Sequence, residues 1–549
     1  MLQFCELKHD LNLSRSDTFT QHSALNTDLC EVSMKRIISV FLLLSLLLTG
    51  CVIDPVQPTE ETEPTEVTET LPTEAPDPAD QIVGLAYDPG DTFNPFTCMV
   101  TVNRTAMSLA YEGLFAVNSS FQAVPVLCNQ FAVSEGGDTY LFTLQSGATF
   151  SDGTPVTAYD AEASLKAAQN SKYYGTRLYR VSDITARDAR TLRIRVRVPY
   201  ENLPLLLDIP IVKAETVESP TPVGSGAYTF AQDLSCLTRR EDWWQGSTGV
   251  IQQQTLPLTA SPEPADVRDS FEFGDTALVC ADPASPAAVG YHCDYELFSG
   301  YTTVMHFIGF NQGKGLCAQE TFRKALTYLL DRETYVTKFY RGAALAAVLP
   351  CSPRSGSYNQ KLADAYDFDP LTFKELTQDV NKTTLAELLV WSGDEARLQT
   401  AHDIADTLNA FGFNIVVSAV DYDTYRSRLR SNSFDMYLGE VKLSPNFDLT
   451  CFFSDSGNLN FGHIANDGVA GLCRDALENS GNCYDLYKVI LDRGLLCPLL
   501  FKTNAVMARR GAFQGLNPGV DNVFCLTPGR TLTDSSADFD TLAAAIVSE

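Results

Sequence analysis

The sequence predicts an α/β protein of more than one domain, and three observations carry that prediction. The first is an alternation of strand and helix patterns late in the chain. Leu388 to Trp391 is a short apolar run of the strand kind, and Leu398, Ala401, Ala405, Leu408 and Phe411 then share one helical face. Gly412 stops that helix, Phe413 to Val417 is a second strand, Tyr422 to Arg430 a second helix and Phe434 to Leu438 a third strand. Alternation of this kind argues for a parallel α/β unit. The second observation is length, because 549 residues exceed one compact core of ordinary size and imply two or three domains. The third is composition. Hydrophobic residues at 45% are enough to fill those cores, while Lys+Arg 40 against Asp+Glu 68 leave a formal net charge of −28. So acidic a chain repels phosphate backbones, which argues against a nucleic-acid role.

From the beginning of the chain, residues 1–33 are polar and patternless, so they are read as an over-called extension and Met34 as the start. Met34-Lys35-Arg36 and the apolar run Ile37 to Leu48, broken only by Ser39 and Ser45, form a secretory signal too short to span a bilayer comfortably. The run ends in Leu48-Thr49-Gly50-Cys51, which resembles the bacterial lipobox. That resemblance implies a signal peptide at 34–50, cleavage before Cys51 and a lipid on its thiol, which anchors the protein to the outer face of the bacterial cytoplasmic membrane. Residues 51–81 then read as a tether. They carry nine Asp and Glu, no Lys or Arg, and repeat Thr, Pro and Glu with almost nothing to bury.

The 15 cysteines form no CxxC pair, and no Cys/His cluster has zinc-finger spacing. Most beyond Cys51 are read as buried small hydrophobes, with one or two bridges left open. Beyond the first 51 residues the histidines are His292, His306, His402 and His463, and no two share a metal-ligand spacing. No metal and no cofactor are expected. Asp152-Gly153 is a turn pair, and Thr157 with Asp160 has capping-box spacing before a helix containing Leu165. Gly224-Ser225-Gly226 is followed by no helix pattern and reads as a tight turn rather than a phosphate cradle.

Several blocks together resemble the bacterial extracellular solute-binding proteins of family 5, the oligopeptide, dipeptide and nickel binders. They are Phe93-Asn94-Pro95-Phe96, Tyr111-Glu112-Gly113-Leu114-Phe115, the stretch Ala148 to Ala161, Pro222 to Tyr228, Asp242-Trp243-Trp244-Gln245-Gly246, Phe273-Gly274-Asp275, Gly309-Phe310-Asn311 with Phe322 to Glu333, and Leu496 to Phe501. Phe322, Ala325, Leu326 and Leu329 of the penultimate block fall on one helical face. The resemblance implies a two-lobed periplasmic-binding-protein-like fold with an extra subdomain in the first lobe and a hinge between lobes. It places lobe 1 at 82–112, 220–305 and 505–549, the extra subdomain at 113–219 and lobe 2 at 306–504. It implies a monomer that captures a small ligand, a peptide or peptide-like molecule, and hands it to ABC transporter permease subunits.

In peptide-binding relatives the segment after the "FD" strand lines the cleft and ends in an aspartate that pairs with the ligand's α-ammonium. Carried over from Phe434-Asp435 without gaps, that position is Ser444, so the acid is missing. Glu440 or Asp448 is a candidate to restore the charge, whereas Lys442 favours an anion. The implied ligand-binding set is Tyr422, Glu440, Val441, Lys442, Ser444 and Asn446, with Tyr422 at the position of a cleft tryptophan. Tyr425 is read as core, and Trp391 as either packing or contact. No HExxH helix and no G-x-S-x-G elbow is found, so no catalytic residue is assigned and the protein is not read as an enzyme. A tethered hydrolase and a receptor for a signal peptide are the alternatives.

Overall fold

The alternation read late in the chain folds as strand Leu385–Trp391, helix Glu395–Ala410, strand Asn414–Val420, helix Tyr422–Arg430 and strand Met436–Lys442. Each helix starts on an aspartate: Asp394 accepts from the Arg397 N–H and Asp421 from the Thr424 N–H. Gly412 ends the first helix at φ 89°, a conformation that costs glycine little. Leu385–Trp391 pairs in parallel with both neighbours. The third strand departs from its expected bounds at both ends. Phe434 and Asp435 are diverted before it, their carbonyls accepting from the Asn311 side chain and the Asn311 N–H. Beyond Leu438 the ladder continues to Lys442, because Gly439 to Lys442 pair antiparallel with Phe307 to Val304.

The computed structural model describes residues 83–246, 251, 253–282, 284, 291–464, 466–524 and 537–548. The expected extension, signal peptide, Cys51 and tether lie outside these residues. Among the described residues no helix is long and apolar enough to cross a membrane.

Two long strands, Tyr295–Phe310 and Leu496–Arg509, run antiparallel through the middle of the main sheet. Their far sides serve different partners along their length. Leu278–Ala281 pairs with Ala505 to Ala508 toward one end, whereas Met436–Lys442 pairs with Val304 to Phe310 toward the other. The register between the two long strands breaks between Tyr301 and Met305, where the Thr302 hydroxyl donates to the Lys502 carbonyl at 2.7 Å. A break at that point divides the sheet into halves joined by two strands. One half continues through Leu85–Tyr87, Thr255–Ala260, Cys236–Arg239 and Tyr228–Phe230, and the other through Leu385–Trp391 and Asn414–Val420.

A separate four-stranded antiparallel sheet is formed by Cys128–Val133, Thr139–Leu144, Thr191–Val196 and Val181–Ala186. Helix Ala158–Asn170 packs on it and starts with the capping box read from sequence, Asp160 accepting from the Thr157 N–H at 2.9 Å. The Gly224-Ser225-Gly226 turn is explained by a close approach. A Cβ on Gly224 would lie 2.1 Å from the Ala110 carbonyl oxygen, and one on Gly226 2.3 Å from that of Leu109.

Three of the sequence blocks meet at one half-buried carboxylate. Glu112 accepts from the Trp243 and Trp244 indoles, at 3.3 and 2.9 Å, from Gln245 at 2.7 Å and from the Ser225 hydroxyl at 2.8 Å. Burial nevertheless holds its pKa above the usual carboxylate range, since its four donors are neutral. On the other side of the molecule, Phe322, Ala325, Leu326 and Leu329 are buried on one face of helix Glu320–Leu329, as their spacing requires. Arg332, also buried, donates to the carbonyls of Pro498, Thr327 and Leu330, which ties this region to the second long strand.

Candidate functional site

Strand Met436–Lys442 lies inside the sheet between Tyr295–Phe310 and Leu385–Trp391, and it ends facing the unit that carries the four-stranded sheet. Lys442 reaches across. Its Nζ lies 2.8 Å from Asp521 and 3.2 Å from the Tyr173 hydroxyl, and over the Tyr173 ring. Asp521 also faces Arg177 at 3.6 Å, and Arg177 donates to Asp208 at 2.5 Å, so two cations and two carboxylates close on one another. Burial would raise the Asp521 carboxyl, but Lys442 and Arg177 overcome it and hold the pKa low. Burial likewise disfavours charge on Lys442, and Asp521 with Tyr173 outweighs that and raises its pKa. Both groups are therefore charged at neutral pH.

The next residues make further bonds to the same unit. Ser444 donates to the Asn446 side chain at 2.6 Å, and Asn446 donates to the Tyr200 hydroxyl at 2.6 Å. Phe447, at φ 56°, packs against Phe121 with ring centres 5.1 Å apart. Asp448 accepts from the Tyr179 hydroxyl at 2.7 Å, and that hydroxyl accepts from Arg180 Nε at 2.6 Å. Farther along, Glu201 accepts from the Ser480 N–H at 2.7 Å. Between these contacts lies a cavity of about 420 Å³, lined by Thr176 and Tyr179 on one side and by residues of the stretch 441–459 on the other. That volume suits a small solute.

Glu440 turns away from this cavity into a second network. His306, fully buried, places Nε2 2.8 Å from Glu440 and Nδ1 2.7 Å from the Tyr340 hydroxyl. Burial lowers the His306 pKa, so the ring is neutral, with Nε2–H donating to Glu440 and Nδ1 accepting from Tyr340. Burial acts to raise the Glu440 carboxyl, but His306, Arg397 at 3.8 Å and Lys502 at 4.0 Å bring it down to about 2. His306, Asp394 and Glu440 bring ligand atoms within 4.8 Å of one another, a grouping that sequence spacing did not reveal. Both ring nitrogens are engaged, and two cations flank the carboxylates, so the arrangement fits an ion-pair network better than a metal.

The expected site residues thus fall into four places. Val441, Lys442 and Ser444 line the cavity, Asn446 bonds across the gap beside it, and Glu440 belongs to the His306 network. Tyr422 stands apart, 52% exposed and edge-on to Trp391 at 5.6 Å. Tyr425 is buried as expected, its hydroxyl donating to the Leu438 carbonyl. Sequence reasoning missed the opposing residues Tyr173, Tyr179, Tyr200 and Asp521, as well as His306. A signal for the first two was present: Tyr173-Tyr174 and Tyr179-Arg180 put aromatic and cationic side chains into a connection between a helix and a strand.

Residues 122–458, more than half of the chain, match the sequence profile of the bacterial extracellular solute-binding proteins, family 5 middle region. The chain belongs to that family. A Brucella ovis protein whose name assigns it to ABC-transporter peptide binding is 24% identical over 362 residues, covering 61% of this chain and 67% of its own. The glutathione-binding protein GsiB of Salmonella typhi is 24% identical over 319 residues, 55% of this chain and 61% of that one. Among solved structures, the ABC transporter substrate-binding protein CtaP of Listeria monocytogenes superposes with a TM-score of 0.68 at 18% identity, over 83% of this chain and 98% of that one. NikA of Brucella suis, in complex with Fe(III)-EDTA, gives a TM-score of 0.64 at 16% identity, over 82% and 100%. These likenesses establish the two-lobed periplasmic-binding-protein fold. The family 5 assignment makes the chain the solute-binding component of an ABC transporter. Its relatives in that role are binding proteins rather than enzymes.

Proposed function

We propose that this family 5 protein captures a peptide or peptide-like solute between its lobes and delivers it to a permease, as a monomer anchored by lipid on Cys51. In this reading residues 51–81 are the tether. Lobe 1 comprises 82–112, 220–305 and 505–549, residues 113–219 are its extra subdomain, and 306–504 form lobe 2. The solute rests against Val441, Lys442, Ser444 and Asn446, Glu440 stiffens the strand that presents them, and Tyr422 supplies an aromatic wall at the rim. The observation that carries the reading is the cavity of about 420 Å³ closed by Lys442–Asp521, Asn446–Tyr200 and Asp448–Tyr179. Contacts of that kind between two units joined by two strands are what a hinge closes and opens. A thermal-shift screen of peptides, chelates and sugars tests it, because a solute bound only by the folded chain raises the melting temperature. A chain that no small solute stabilises contradicts the reading. Cys51→Ser is expected to release the protein into the medium, and a variant that stays membrane-bound contradicts the anchor.

A further inference from the structure

A second cavity, of about 110 Å³, lies beside the Lys442–Asp521 pair: Tyr173 and Asp521, which hold Lys442, are among its lining residues. Its charged lining residues among the described ones are Arg104, Glu112, Arg177, Asp208 and Asp521. Arg177 faces both Asp208 and Asp521, and Asp521 also faces Lys442, so these pair with one another. Arg104 and Glu112 are left over. Arg104 lies 3.5 Å over the Tyr173 ring and donates to the Tyr174 hydroxyl and to the carbonyls of Pro95 and Cys98, all neutral acceptors. Glu112 takes four neutral donors and pairs with no cation among the described residues. Burial raises the Glu112 pKa, and a cation brought close favours its ionised form. The cavity thus carries one cation and one carboxylate, each without a partner of opposite charge.

Three polar atoms of the lining residues are buried and make no hydrogen bond: Arg104 Nε, Gln245 Oε1 and Asn522 Oδ1. Each costs stability until something bonds it. Gln245 is oriented by Glu112, which accepts from its Nε2 at 2.7 Å, so Oε1 is left as an acceptor polarised by the carboxylate behind it. One guanidinium N–H therefore needs an acceptor, and two amide oxygens need donors. An isolated carboxylate satisfies only the first and an isolated ammonium only the second. A neutral amide satisfies all three atoms but leaves both charges uncompensated. We infer that this cavity takes an α-amino-acid head, one carbon bearing both groups, with its carboxylate on Arg104 and its ammonium on Gln245 and Asn522. The volume is below the roughly 300–1,000 Å³ of a site for a whole drug-sized ligand and suits a head alone. Such a head is present on a free amino acid and at the γ-linked end of a γ-glutamyl peptide, and absent from an ordinary α-linked peptide. This inference rests on capture between the lobes as read above and names the solute's head group.

Calorimetry on the full chain with two isomers tests it. γ-Glutamyl-alanine and α-glutamyl-alanine share composition and charge, and only the first has ammonium and carboxylate on one carbon. L-Glutamine, the third probe, shows whether a free amino acid suffices. The wild type is expected to bind γ-glutamyl-alanine at least about tenfold more tightly than its α-isomer. Arg104→Met and Asn522→Ala are each expected to remove that preference. Asn522→Ala deletes an atom that has no partner in the folded chain, so its melting temperature stays level or rises, which separates loss of the site from loss of the fold. Equal or tighter binding of the α-isomer, or a preference that survives in both folded variants, overturns the inference and leaves capture between the lobes intact. Failure of all three probes to bind also overturns it and assigns the three atoms to ordered water. Capture itself falls only if the thermal-shift screen finds no solute either.

Discussion

Two carboxylates in this molecule are stabilised in opposite ways. Glu112 accepts from four neutral donors supplied by Trp243, Trp244, Gln245 and Ser225, and no cation pairs with it. Asp521 sits between Lys442 and Arg177 and depends on charge. The first arrangement joins segments of one half of the molecule, and its donors have no other use. The second spans a gap, and on opening Arg177 keeps Asp208 while Lys442 exchanges Asp521 for water. Neutral donors around an anion make a lock, whereas exchangeable ion pairs across a gap make a latch.

The lock is where substitution costs most. Glu112→Ala leaves two indole N–H groups, one amide and one hydroxyl without their acceptor, so it is expected to lower unfolding free energy by about 3 kcal/mol in a urea titration. Unchanged stability would show that the four bonds are incidental. Breaking the latch should barely affect stability and chiefly change shape. Lys442→Met with Asp521→Asn is expected to cost about 1 kcal/mol or less while enlarging the radius of gyration seen by X-ray scattering. A double variant that melts early but keeps its radius contradicts the assignment of these residues to a separable contact.

Acid should separate the two further. The Asp521 pKa is depressed in the folded chain, so its contribution is present above the ordinary aspartate pKa of about 3.9 and is lost as pH falls below it. Lys442 is raised, so its contribution is present below about 10.4 and is lost only as pH rises through its folded value. Closure should therefore be flat from about pH 5 to 10. Glu112 has the opposite sign to Asp521: its pKa is raised by burial, so the folded state binds its proton more tightly and gains stability as pH falls through that value. Glu112→Gln should remove that gain from the pH–stability curve, and a curve identical to the wild type would contradict it. The smallest folding effect belongs to Tyr422→Ala. This half-exposed ring on Trp391 should contribute about 0.5 kcal/mol or less to folding.

The fold was legible where local pattern and tertiary structure agree. Helix Tyr422–Arg430 has the expected bounds, the Thr157–Asp160 box caps its helix, and the face of Phe322, Ala325, Leu326 and Leu329 is buried. The strand through Phe434 was misplaced because its ends are set by Asn311 and by the distant ladder to Val304 through Phe307, neither of which leaves a local trace. One wall of the candidate site, Val441 to Asn446, was proposed by carry-over from relatives, and Val441, Lys442 and Ser444 of it line the cavity. The opposing wall was not, since Tyr173, Tyr179, Tyr200 and Asp521 meet it only through folding, 240 or more positions away for the tyrosines. His306 was dismissed on spacing alone, although a buried histidine needs partners for both nitrogens and found them in Tyr340 and Glu440.

Hydrogen exchange of the full chain, with and without a saturating concentration of whichever solute the screen identifies, tests capture in this cleft most directly. The account predicts that solute-dependent protection concentrates in residues 173–180 and 441–459, the two walls joined by Lys442, Asn446 and Asp448. Protection confined to other parts of the chain, with both walls unchanged, would contradict it.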